Sequence, residues 1–262
     1  MIRGVRSELF KLRTSPGPWV VLGAGLLFTA LGIVVVFLVQ RFGVHGRHVE
    51  FVAPTSVYRL RRLLGAGFAV GGVWMSAIAG VLCVTGEYRH KTMTTSLLVE
   101  PRRWRLLSAK AIASLIWGLG IGAASLLLVG AMGIPLLKTQ GGSVSALFNQ
   151  AGAVLPGFFA AFALLALFGA GLGTLVKNQI AAVVTILAIT FIIEPIFDGL
   201  LPDVGRWLPF AASAAVAGGL TPPSERVYLL SWWLAAIVLA GWGLVPIVVG
   251  YFACLLYTSR CV

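Results

Sequence analysis

Six runs of apolar residues, each about as long as a bilayer is thick, limit what this chain can fold into. They occupy residues 19–39, 63–84, 111–136, 155–176, 180–200 and 230–252, each close to the roughly 20 residues that carry an α-helix across the hydrocarbon. Lipid offers no water to satisfy backbone amides, so each run is expected to close its hydrogen bonds within itself as a helix. The predicted fold is an all-α integral membrane protein with six transmembrane helices between residues 19 and 262. Composition agrees: 59% of the 262 residues are hydrophobic and 11% charged, too few charges to cover a water-soluble surface.

The net charge of +12 does not point to nucleic acid, because a nucleic-acid binder gathers its basic residues on one soluble face. Here they fall in short segments between apolar runs, where they orient helices and meet anionic lipid heads. The most basic of these segments is residues 86–110, which carries Arg89, Lys91, Arg102, Arg103, Arg105 and Lys110 against Glu87 and Glu100. Such an excess in a short loop marks the cytoplasmic side. An even number of spans puts both termini on that side. Twelve of the 20 Lys and Arg residues then lie inside and eight outside, Arg59, Arg61 and Arg62 among the latter.

Ahead of the first run, residues 1–18 are basic, and Ile2, Val5, Leu9 and Leu12 recur at spacings of three and four. This predicts a short amphipathic helix lying in the inner interface, ended by Pro16-Gly17-Pro18. A signal peptide is excluded by the missing small-residue cleavage site and by the spans that follow. Before the last run, residues 201–229 are apolar in the middle but broken by Pro202, Pro209, Pro222 and Pro223. That pattern predicts re-entrant half-helices capping the outer end. The glycine pairs Gly67/Gly71, Gly118/Gly122 and Gly169/Gly173 have the four-residue spacing that lets helices approach closely in lipid, and packing within the bundle is favoured over a dimer seam. Trp19, Trp104, Trp207, Trp232 and Trp233 fall where interfacial aromatic anchors are expected.

Motifs for chemistry are missing. Gly86 followed by Lys91-Thr92 mimics a phosphate loop, but His90 stands where the last glycine belongs. His45 and His48 have no third ligand nearby and are read as an ordinary external pair. Cys83, Cys254 and Cys261 show neither disulfide nor metal spacing, and no His-Glu-x-x-His or Gly-x-Ser-x-Gly pattern occurs. No catalytic, cofactor or metal site is therefore expected in this chain. Glu194 lies toward the outer end of the fifth run with Asp198 one turn on, and the six runs hold no other Asp, Glu, Lys, Arg or His. The favoured reading breaks the helix at Pro195 and lets Glu194 reach the outer interface; the alternative is an intramembrane polar site. With no other ionisable group at the midplane, the source of energy for transport is expected in another subunit.

These features together resemble the ABC-2 type permeases, the membrane subunits of one class of bacterial ATP-driven exporters. The likeness rests on Ser7-Glu8-Leu9-Phe10-Lys11-Leu12 before the first span and on Gly86-Glu87-Tyr88-Arg89-His90-Lys91-Thr92 through Leu98, followed by Pro101-Arg102-Arg103 and Ala109-Lys110. It extends to Val176-Lys177-Asn178-Gln179 and Phe191-Ile192-Ile193-Glu194-Pro195. The resemblance implies an inner-membrane export permease for a hydrophobic or amphipathic substrate. It implies a second permease chain, with a homodimer expected, and a separate cytoplasmic P-loop ATPase that holds the ATP and Mg. It also assigns Glu87, Tyr88, Arg89, His90, Lys91, Thr92, Leu97 and Leu98 to a loop that couples to that ATPase. Residues 254–262 depart from the family's basic tail, with Arg260 the single cation there. An ion-coupled secondary transporter working through Glu194 and a non-transporting membrane scaffold are the two rival readings.

Overall fold

A computed structural model of the chain describes residues 2–42, 72–90, 92, 98, 102–139, 144–218 and 229–258. Among them there are helices and connecting turns but no strands. Helix α1 (Ile2–Thr14) is 13 residues long, about 20 Å, and too short to cross a bilayer. Ser15 separates it from α2 (Pro16–Phe42), which begins with proline at the first helical position, where a missing N–H costs nothing. The Pro-Gly-Pro turn read from the sequence is thus the opening turn of α2.

Helix α3 (Val73–Arg89) forms the second half of the run at 63–84; the first half, Gly67 and Gly71 included, lies outside the described residues. Helices α4 (Arg103–Thr139) and α5 (Val144–Leu175) have 37 and 32 residues, about 55 Å and 48 Å. Both are longer than the roughly 30 Å hydrocarbon core of a bilayer. Helix α6 (Gln179–Ala188) passes through a π-helical turn (Ile189–Ile193) into α7 (Glu194–Leu200). Two short helices follow, α8 (Pro202–Gly205) and α9 (Pro209–Val216), before α10 (Trp232–Thr258).

Five helical segments are long and apolar enough to cross a membrane: Pro16–Val35, Trp104–Pro135, Val154–Leu175, Gln179–Leu200 and Trp232–Phe252. This is the make-up of a multi-pass membrane protein. The third of these is 72% buried against 17% to 39% for the others, so α5 is the centre of the bundle, and α3, α4 and α10 pack around it. Glycines set the approach. A Cβ on Gly80 would run into the Ala166 carbonyl, and one on Gly169 into that of Ala77, so α3 and α5 touch backbone to backbone. Gly118 and Gly122 meet Phe162 of α5. Both described glycine pairs are consumed inside the bundle.

Outward faces are apolar. Ile180, Val184, Phe191, Ile192 and Ile196 on α6–α7 and Ile237, Val245 and Val249 on α10 are exposed, as lipid-facing surfaces should be. Of residues 201–229, the described part holds α8 and α9, while 219–228 lies outside the described residues.

Candidate functional site

Four charged side chains converge where α1 meets the ends of α3 and α4. Glu8 and Lys11 stand one turn apart on α1, Glu87 belongs to the last turn of α3, and Lys110 lies two turns into α4. Lys110 is 1% exposed, Glu8 3% and Glu87 6%. The Lys110 ammonium lies 2.7 Å from Glu8 Oε2 and 3.0 Å from Glu87 Oε1, and donates to the Cys83 carbonyl at 3.4 Å. Its three protons therefore have three acceptors. Lys11 closes the ring, 2.8 Å from Glu8 Oε1 and 2.7 Å from Glu87 Oε1.

Two carboxylates and two ammoniums balance in charge. That balance is what permits their burial, since an unpaired ion taken out of water costs several kcal/mol. Burial works against the charge on Glu87, but Lys110 and Lys11 outweigh it and hold the carboxyl below its ordinary 4.5. Burial likewise opposes the Lys11 charge, and hydrogen bonds from its ammonium to Glu8 and Glu87 outweigh that and raise it above 10.5. Beneath the ring, Leu12, Cys83 and Ala113 form a small apolar cluster with Leu9 and Trp117. The buried face of α1 is thus turned toward Glu8 relative to the stripe of Ile2, Val5, Leu9 and Leu12.

The eight residues assigned to the coupling loop separate into groups. Glu87, Tyr88 and Arg89 are helical, and Glu87 points into the bundle rather than outward. Tyr88 and Arg89 line a cleft with Lys177, Asn178, Gln179 and Ile180. His90 and Thr92 are exposed, with Thr92 N–H donating to the Glu87 carbonyl at 3.0 Å. Leu98 is 82% exposed. Lys91 and Leu97 lie outside the described residues, as do His45 and His48.

At the opposite end, the predicted break at Pro195 is absent. The helix runs from Gln179 to Leu200, because the wider π-helical turn just before Glu194-Pro195 relieves the clash a proline ring makes with the preceding turn. Glu194 is 5% exposed, with its carboxyl turned into the protein. Its two oxygens accept the amides of Phe210 at 2.7 Å and Ala211 at 3.2 Å, the N–H groups that the first turn of α9 would otherwise leave unsatisfied. Its role is to tie α7 to α9. Trp242 adds a second tie by donating its indole N–H to the Trp207 carbonyl at 2.8 Å.

Glu8, Lys11 and Lys110 escaped the sequence reading as site residues. The available signals were an acid–base pair three residues apart on an amphipathic helix and one lysine set inside an apolar segment, but nothing in the sequence joins positions 102 residues apart.

Comparisons with protein-family models, with curated proteins and with solved structures find no match to this chain.

Proposed function

We propose that this chain is the permease subunit of an ATP-driven exporter of the ABC-2 type. The observation that carries the reading is the buried ion ring, which clamps the interfacial helix α1 to α3 and α4, the two helices on either side of the 90–102 connection. A force applied to that connection would reach three helices together rather than bending one loop. The exposed Leu98, His90 and Thr92 offer an apolar and polar contact surface to a cytoplasmic P-loop ATPase, with ATP and Mg bound there. On this reading ATP-driven closure pushes on the connection, tilts α3 and α4 as one body, and alternates access to a cavity between two permease chains. On this reading residues 63–84 are the sixth span, α8 and α9 are half-helices re-entering from the outer face, and both termini are cytoplasmic.

The substrate class is hydrophobic or amphipathic, in keeping with the apolar bundle. Co-expression of the chain with any P-loop ATPase that a neighbouring reading frame is found to encode, followed by affinity purification, tests the proposal. Tyr88→Ala/Arg89→Ala is expected to insert normally and lose the ATPase. Undiminished co-purification and export with this variant would count against the assignment.

A further inference from the structure

We propose that the outward face of α1 docks on an anionic bilayer surface through Arg6, Phe10 and Arg13. At 3.6 residues per turn these three fall within about 60° of one another, on the side of α1 away from the buried Glu8 and Leu12. Arg6 and Arg13 are exposed, and Phe10 between them is 67% exposed. The stripe carries no acidic residue; the one carboxylate of α1, on Glu8, is already engaged by Lys11 and Lys110. Leu9 and Leu12, which periodicity alone would turn to the lipid, pack instead with Cys83, Ala113 and Trp117. The face left for the membrane is therefore the cationic one.

Its place in the fold selects a bilayer over a soluble polyanion or an acidic protein. The segment of α2 apolar enough to cross a membrane begins at Pro16, three residues after Arg13 and so at most about 11 Å of chain away. Trp19, half exposed, donates its indole N–H to the Arg13 carbonyl at 2.8 Å. That bond pins the end of α1 beside the first turn of α2, as an aromatic anchor does at a membrane interface. Further back, α1 crosses α4 obliquely: Gly4 lies against Ala109, Glu8 pairs with Lys110, and Leu12 clusters with Ala113. About 12 Å of α1 thus passes over about 6 Å of α4. Since α4 crosses the membrane, α1 lies nearer the membrane plane, and Arg6 reaches a depth similar to that of Arg13. At that depth guanidinium groups pair with phosphate oxygens two at a time, and an exposed aromatic ring enters between the heads. None of this depends on the transport reading, and the test contains no ATPase.

Ser7, exposed at the edge of the stripe, is changed to Cys in a full-length chain with Cys254→Ser and Cys261→Ser, and labelled with bimane. The chain is placed in phosphatidylcholine nanodiscs containing doxyl-labelled phosphatidylglycerol or, in parallel, doxyl-labelled phosphatidylcholine of the same chains, and quenching is read. Labelled phosphatidylglycerol is expected to quench more strongly at equal mole fraction. The preference should collapse between 0.1 and 1 M salt, as the screening length falls from about 10 to about 3 Å. Each arginine replaced by Gln is expected to lower the relative association constant of phosphatidylglycerol about fivefold, while R6K/R13K keeps most of it. If R6Q/R13Q fails to fold, the salt series on the chain with both arginines carries the test. Equal quenching by the two lipids, or a preference unmoved by salt or by R6Q/R13Q, overturns the proposal. So does the absence of quenching by either lipid, which would leave the face to water or to a protein partner.

Discussion

Lys110 owes its place in an apolar helix to Glu8 and Glu87, and removing it strips both buried carboxylates of their most buried cation. Lys110→Met is expected to destabilise the chain by about 3–5 kcal/mol, the usual result of stripping one partner from a buried pair. Lys11→Met should cost about 1 kcal/mol or less, since that side chain is half exposed and its pairs are screened. Unfolding midpoints in a fixed detergent, read for both variants, check the order, and equal losses would contradict it. The ring also has a pH signature. Glu87 is held below its ordinary 4.5, so its contribution is present above that value and is lost as pH falls through the depressed one. Lys11 is held above 10.5, so its contribution is present below that value and disappears as pH rises through the raised one. Stability should therefore be flat through neutral pH and fall in acid, and the acid fall should be smaller in Glu87→Gln, measured by thermal unfolding across pH. None of this was legible from composition or periodicity: Glu8 sits at the edge of an apolar stripe, and only folding brings it to Lys110.

Helices meet here through glycine and through caps. Gly80 and Gly169 sit where α3 and α5 touch, whereas a Cβ on Gly120 meets nothing within 4 Å. Gly80→Ala should cost about 1–3 kcal/mol by overpacking, while Gly120→Ala should be neutral or stabilising by up to about 1 kcal/mol through helix propensity. Similar effects of the two in a chemical unfolding series would refute the close crossing. Glu194→Ala removes the acceptors for the first amides of α9 and should cost about 0.5–2 kcal/mol, the range for a lost helix cap. Faster hydrogen exchange at Phe210 and Ala211 is the local readout, and unchanged exchange there would contradict the cap. Sequence periodicity was informative about α1 and about the long apolar helices, because a 20-residue apolar run has one stable form in lipid. It did not show that the helix holding the second run outlasts it, with Glu87, Tyr88 and Arg89 continuing α3. It also put a break at Pro195, because a π-helical turn that accommodates proline leaves no mark in hydropathy.

On the scale of the whole molecule, the described helices form a bundle centred on α5, with one end fastened by ions and the other by the Glu194 cap and the Trp242–Trp207 hydrogen bond. Hydropathy alone conveyed the class, a multi-pass membrane protein, because the bilayer sets helix length. It could not convey which end is mechanically tied to α1, which depends on contacts between distant residues. The central claim is that the 90–102 connection faces the cytoplasm and receives an ATPase. The most direct test places Leu98→Cys in a chain with Cys254→Ser and Cys261→Ser, keeping the buried Cys83, and treats it with a membrane-impermeant maleimide. Intact cells should remain unlabelled, inverted vesicles should label, and bound ATPase should protect position 98. Labelling in intact cells, or labelling in inverted vesicles that the ATPase leaves untouched, would contradict the account.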